Sequence, residues 1–81
     1  MKKIGEMLVE KGVITNEQLE KALKLQENNE VLLGEALITI GAITKTNLKN
    51  FLLSYKDKKE VLEWANSLLS QKEVDRIFKN K

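Results

Sequence analysis

The apolar and polar positions of this chain follow the same order twice. Residues 3–26 read KIGEMLVEKGVITNEQLEKALKLQ, and residues 32–55 read LLGEALITIGAITKTNLKNFLLSY. The two stretches align with Gly34 placed 29 residues after Gly5, and apolar residues recur at helical spacing around two glycines in each. A repeat of this kind predicts two copies of one supersecondary unit, which pack on each other or share one ligand.

The first copy predicts two helices joined by a tight turn. Apolar residues in 3–11 recur at the spacing of one helix face, and Gly12 follows where a left-handed cap would end a helix. Thr15 and Gln18 are spaced as in a capping box, which predicts a second helix from about 16 to 26. The predicted inner face of this helix consists of Leu19, Ala22, Leu23 and Gln26.

The second copy predicts the same pair of helices. Gly41 would end the third helix and Thr44 would cap the fourth, although Asn47 weakens the reciprocal half of the capping box. A short strand over 36–40 is the alternative, because β-branched residues gather there, but the amphipathic first copy favours a helix. The predicted inner positions are Leu33, Ala36, Leu37 and Ile40 on the third helix and Leu48, Phe51, Leu52 and Tyr55 on the fourth.

Two further helices are expected after the repeat. The charged run at 56–59 separates them from it, residues 59–69 carry an apolar stripe at helical spacing, and Ser70 with Glu73 forms another capping box. The pattern predicts an all-α fold of two repeated helix pairs plus two C-terminal helices in one compact domain. Its parts are repeat one at 3–26, a linker at 27–31, repeat two at 32–55 and the C-terminal helices at 58–80.

Composition narrows the classes of function. The 81 residues include 14 basic and 12 acidic ones, and a net charge of +2 is too weak to indicate nucleic acid or an anionic membrane as partner. The chain has no cysteine and no histidine, which removes thiolate metal sites, disulfides and the usual general base. The apolar stretch near the N-terminus is too short to span a membrane. We expect a non-enzymatic, cytoplasmic domain without cofactor or metal.

Gly5 and Gly34 stand inside predicted helices, where glycine costs roughly 0.5–1 kcal/mol relative to alanine. Such a position needs a compensating reason. Two explanations fit the sequence equally well: close packing against another segment, or the close approach of a bound ligand.

The double motif G-x-x-L-(V/I)-x-x-G-x-I-T-x-x-x-L-x-x-x-L resembles the N-terminal domain of the type II secretion and type IV pilus assembly ATPases, the GspE or MshE-type domain. Each copy occupies 24 residues and five residues separate the copies, as in that family, so the resemblance covers about two thirds of the chain. It implies a helical fold, in agreement with the apolar pattern. The chain has no P-loop, so the ATPase motor of the resembling proteins is absent from it.

The resemblance also implies a binding site for cyclic di-GMP, of which each copy would contact about half. In such a site arginine stacks on guanine, backbone N–H groups beside glycine bind phosphate, and aliphatic residues enclose the bases. The matching positions that would bind the ligand are Lys3, Ile4, Gly5, Leu8, Gly12, Gln26, Leu33, Gly34, Leu37 and Gly41.

The departures from the family pattern fall on its polar positions. Lys3 and Leu32 stand where the family has arginine, and Tyr55 replaces the second glutamine. Lysine cannot donate bidentately, and leucine offers no charge. Each lost charge-assisted hydrogen bond is worth roughly 1.5–3 kcal/mol, so the two changes would weaken nucleotide binding by about 10²–10⁴.

Three hypotheses of function follow. The first is a protein-interaction or regulatory module whose partner is a component of secretion or pilus machinery or another regulator, contacted through Leu32, Leu33 and Tyr55 on the second helix pair. The second is a sensor of cyclic di-GMP or a related nucleotide, built on the first copy. The third is a homodimeric structural module that buries Trp64 and the last helix.

Overall fold

The computed structural model describes residues 4–54 and 58–79, and these residues form an all-α fold, as predicted. Its helices are α1 (Ile4–Glu10), α2 (Asn16–Asn28), α3 (Leu33–Thr39), α4 (Lys45–Leu53), α5 (Lys58–Ala65) and α6 (Gln71–Lys79). The segment 36–40 therefore belongs to a helix and its end, and the strand alternative is wrong.

The sequence repeat is also a structural repeat. α1 and α3 have seven residues each, and two residues after each helix ends stands a glycine, Gly12 or Gly41, whose φ angles are +73° and +78°. These left-handed conformations favour glycine, which confirms both residues as helix C-terminal caps. Thr15 and Thr44 then begin α2 and α4, and each hydroxyl accepts a hydrogen bond from the backbone N–H three residues later.

The capping boxes differ in completeness. Gln18 completes the first box, because its side-chain oxygen accepts from the Thr15 N–H at 2.9 Å. Ser70 accepts from the Glu73 N–H at 3.3 Å, but the Glu73 carboxylate lies 3.3 Å from Lys45 Nζ. That carboxylate therefore joins α6 to α4, a tertiary contact that the sequence pattern does not indicate.

α2 is two residues longer than predicted. α2 continues through Asn28, whereas the sequence pattern ended it at Gln26 and began the linker at 27. The side chains of Asn28 and Asn29 donate to the carbonyl groups of Lys24 and Leu25, and the Leu25 carbonyl is one of the four at the end of the helix that lack an intrahelical donor.

The fifth helix ends at Ala65, four residues earlier than expected. Asn66 and Ser67, which are weak helix formers, begin a turn in which Leu68 and Leu69 both donate to the Ala65 carbonyl. Leu68 and Leu69 are nevertheless buried, so their apolar spacing indicates burial correctly and helix length incorrectly.

The core is continuous across the repeat and the C-terminal helices. Its fully buried large side chains are Leu8, Leu37, Leu48, Leu52, Val61, Leu68 and Val74. α5 and α6 pack on the second unit, where the Phe51 and Trp64 rings lie 5.9 Å apart and tilted by 47°. Among the helices described, none is both long and apolar enough to cross a membrane.

Burial differs sharply between the two units at one repeat position. Leu23 in α2 and Leu52 in α4 are equivalent, yet Leu23 is 45% exposed and Leu52 is 0% exposed. The sequence pattern placed Leu23 in the interior, and this is wrong because no described helix covers that face of α2.

The two leucines give a matched test of this asymmetry. We expect Leu52→Ala to lower the free energy of unfolding by about 2–5 kcal/mol, because it leaves a cavity in the core. We expect Leu23→Ala to lower it by less than about 1 kcal/mol, because the side chain is already partly in water. Urea unfolding followed by circular dichroism measures both, and equal losses would contradict the described packing.

Candidate functional site: the α1–α2 groove

A cavity of about 550 Å³, partly open to solvent, lies along the exposed face of the first unit. We call it the α1–α2 groove. Its lining consists of Ile4, Gly5 and Glu6 from α1, Leu19, Leu23 and Gln26 from α2, and Leu33, Trp64 and Ser67 from the rest of the chain. The volume falls in the range of small-molecule sites, and it also suits several apolar side chains of a protein partner.

The groove is mainly apolar, with few polar groups. Glu6 is the only charged residue among the described residues that line it. Gln26 donates from its side-chain nitrogen to the Val31 carbonyl at 3.1 Å, which ties the end of α2 to the linker. Its amide nitrogen is therefore engaged within the chain, and the described lining offers no cation to a phosphate.

Both helix glycines are explained by packing. A Cβ added at Gly5 would lie 2.7 Å from Leu19 Cδ1, and one added at Gly34 would lie 2.9 Å from Leu48 Cδ2. Leu19 and Leu48 are equivalent positions of the repeat. The same glycine–leucine contact therefore holds the two helices of each unit together, and no ligand is needed to account for either glycine.

The second unit has an additional neighbour at its glycine. A Cβ at Gly34 would also overlap the backbone carbonyl of Leu68, in the turn between α5 and α6. In the same place the Leu33 N–H donates to the Ser67 carbonyl at 3.1 Å. The turn after α5 thus covers the part of the second unit that corresponds to the open groove of the first.

The structure brings together four of the ten motif positions that the resemblance assigns to a ligand: Ile4, Gly5, Gln26 and Leu33 line the groove. Leu8 and Leu37 are 0% exposed in the core, where a ligand does not reach them. Gly12 and Gly41 end their helices and do not line the groove, and Gly34 lies beneath the Leu68 carbonyl. Lys3 lies outside the described residues.

The residues predicted to contact a protein partner do not form one exposed surface among the described residues. Leu33 is buried, with 6% of its surface exposed, and Tyr55 lies outside the described residues. Leu32 begins α3, where its N–H donates to the Glu35 carboxylate at 3.0 Å. Its surroundings form a separate cavity of about 500 Å³, lined by residues 26–32.

Sequence reasoning missed Trp64 and Ser67 as groove residues. They come from the C-terminal helices, which have no counterpart in the repeat, so the motif contains no signal for them. It predicted burial of Leu23, because the spacing of this residue is that of a core position, and exposure depends on a tertiary neighbour that spacing does not reveal.

Comparison with known proteins gives one informative similarity. Over 50 residues the chain is 40% identical to the type IV pilus assembly ATPase PilB of Myxococcus xanthus. That segment covers 62% of this chain and 9% of the ATPase, so the chain spans less than a tenth of its relative's length. The similarity supports a relation to the type IV pilus assembly ATPases. The chain matches no described protein family, and no solved structure resembles it significantly.

The two glycines allow a matched test of the packing explanation. We expect Gly34→Ala to lower the free energy of unfolding by about 2 kcal/mol or more, because the new methyl group meets the Leu68 backbone. Gly5→Ala meets only the end of the Leu19 side chain, which can rotate, and alanine gains about 0.5–1 kcal/mol in helix propensity. We expect a net change within about 1 kcal/mol for it by chemical denaturation. An equal effect of both substitutions would refute the assigned contacts.

Proposed function

We propose that this chain is a non-enzymatic protein-interaction or regulatory module of a type IV pilus-type machinery, and that the α1–α2 groove is its binding surface. The observation that carries the proposal is the open apolar groove with Leu23 at 45% exposure. Exposed apolar surface of this kind marks interaction sites in soluble domains. The similarity to a pilus assembly ATPase favours a component of the pilus machinery as the partner.

The residues of the groove favour binding of a protein partner over catalysis. Among the described lining residues only Glu6 carries an acidic or basic side chain, and a single exposed carboxylate is a poor basis for acid–base catalysis. Leu19, Leu23 and Trp64 offer the apolar and aromatic contact that dominates binding energy at protein interfaces.

Leu23→Glu tests this surface, with Leu62→Glu as the matched control. Leu62 is 40% exposed and does not line the groove, so both substitutions place a charge at an exposed leucine. We expect a type IV pilus assembly protein to copurify with the tagged wild-type chain and with Leu62→Glu. Recovery with Leu23→Glu should fall by about tenfold or more, as for a central contact residue.

The measurement is quantitative mass spectrometry of proteins bound to the tagged chain in its own cells. Circular dichroism of both variants establishes that each remains folded. Equal recovery of pilus proteins with both variants, or recovery of none with the wild type, would refute the proposed surface.

Binding of cyclic di-GMP is the second candidate, because Ile4, Gly5 and Gln26, at which the resemblance implies ligand contacts, all line the groove. The electrostatics of the described lining oppose it. The ligand carries two negative charges, Glu6 adds another, and the Gln26 amide nitrogen is already engaged.

Calorimetric titration with cyclic di-GMP tests this second candidate. We expect no saturable heat with cyclic di-GMP at about 100 µM, since the charge-assisted contacts that hold a dianion are missing from the described lining. Saturable binding in the micromolar range that is lost in Gly5→Trp would contradict this expectation and establish a sensor. Leu62→Trp, on the other exposed leucine, is the control for that variant.

A further inference from the structure

The second unit of the chain already shows how a groove of this type is filled. Its α3–α4 pair is covered by α5, α6 and the turn between them, through the Ser67 and Leu68 carbonyl groups and the Phe51–Trp64 ring contact. The first unit has the same pair of helices, and no helix in the described ranges 4–54 and 58–79 covers Leu23 in this way. The chain therefore contains its own example of a binding partner for the open groove.

We propose that the α1–α2 groove binds a helical hairpin of a partner protein, in the way that α3–α4 binds α5–α6. This inference rests on the proposed function and names the kind of partner that it requires. Such a hairpin has apolar side chains on its inner face and a short turn whose backbone carbonyl groups lie against the glycine-bearing helix, as those of Ser67 and Leu68 do in this chain.

The contact residues of the two grooves are closely similar. Ile4, Gly5, Leu19 and Leu23 of the first unit correspond to Leu33, Gly34, Leu48 and Leu52 of the second. The second set is fully or almost fully buried by the segments packed on it. The two faces have similar apolar residues, and the same glycine–leucine contact sets the spacing of the helices beneath them. A similar apolar hairpin therefore suits both faces.

The hairpin in the chain shows which side chains such a partner needs. Those of α5, α6 and their turn that are buried include Val61, Ala65, Leu68, Val74 and Ile77, whereas Leu62 is exposed. Glu6 on the rim adds a preference for a neutral or basic residue opposite it, because like charges would repel.

A segment other than this chain's own α5 and α6 must supply the hairpin, because these two helices are already used. They cover the second unit of the same molecule, where Lys45 and Glu73 join α4 to α6. Moving them to a neighbouring molecule would open the second groove and expose Leu52. A second copy of the chain therefore gains nothing by exchange.

A chain with one additional hairpin tests the inference directly. Residues 58–79 are repeated after Lys81 through a Gly/Ser linker of about 20 residues, whose root-mean-square span is about 25 Å. The longest dimension of the domain is 31 Å, so the added hairpin can reach the groove. The tether also raises the effective concentration, which compensates for the marginal stability of short isolated helices.

We expect the added hairpin to fold onto the first unit. The helical circular dichroism signal should rise, and the backbone amide resonances of Gly5, Leu23 and Gln26 should shift, while those of α4 stay in place. A change of Leu68→Glu in the added hairpin alone should abolish these shifts, because its resident equivalent is fully buried. Leu62→Glu in the added hairpin alone is the control and should preserve them, because its resident equivalent is exposed.

An added hairpin that stays unfolded, or whose docking tolerates Leu68→Glu, would overturn the inference. Shifts confined to α3 and α4 would overturn it too, because they would mean exchange with the resident hairpin. These failures are distinct from failure of the proposed function. If Leu23→Glu still lost the pilus protein, the groove would remain the interaction surface and only the type of partner would change.

Discussion

The contact between a helix glycine and a leucine of the next helix determines the shape of each unit. Gly5 meets Leu19 and Gly34 meets Leu48, and in both pairs a Cβ would fall within 3 Å of a leucine methyl group. This approach is tighter than ordinary side-chain contact, so the helices of each pair lie closer than larger residues would permit. The glycines cost helix propensity, and the packing that they allow offsets this cost. A two-helix unit built this way has an apolar face that it cannot bury alone, and a neighbouring segment must cover it.

The C-terminal helices supply that neighbour for one unit only, and the asymmetry of the molecule follows from this. α5 and α6 cover the second unit, so Leu52 is fully buried while its equivalent Leu23 remains in water. Trp64 has two roles in this arrangement. Its ring packs beside Phe51 of the covered unit, and it also lines the open groove of the other. The cover of the second unit thereby becomes one wall of the groove, which couples the stability of one unit to the binding surface of the other.

The sequence predicts the elements of this fold well, because repeated caps and glycines are local signals. Thr15, Thr44, Gly12 and Gly41 mark helix ends through their own backbone geometry, and the structure places the ends there. The candidate site is predicted less well. Whether packing or a ligand explains Gly34 depends on the Leu68 carbonyl, which is 34 residues away in a segment outside the repeat. Spacing likewise cannot separate Leu23 from Leu52, since only the tertiary neighbour distinguishes them.

The apolar residues that are identical in both copies fall into two groups, those explained by packing within the chain and those that are not. Of the four apolar identical pairs, Leu8–Leu37 and Ile14–Ile43 are buried in both units, and Leu19–Leu48 makes the glycine contact in both. Packing within the chain accounts for these three. The fourth pair is Leu23–Leu52, and packing accounts only for its second member. Lys3 differs from Leu32 and Gln26 from Tyr55, and these are positions at which the resemblance implies contacts to a nucleotide. The identical apolar pairs thus maintain the packing of both units, while these polar positions differ between them. Unlike Leu62, which is also exposed, Leu23 lines an apolar groove, and contiguous apolar surface of this kind is typical of interaction sites.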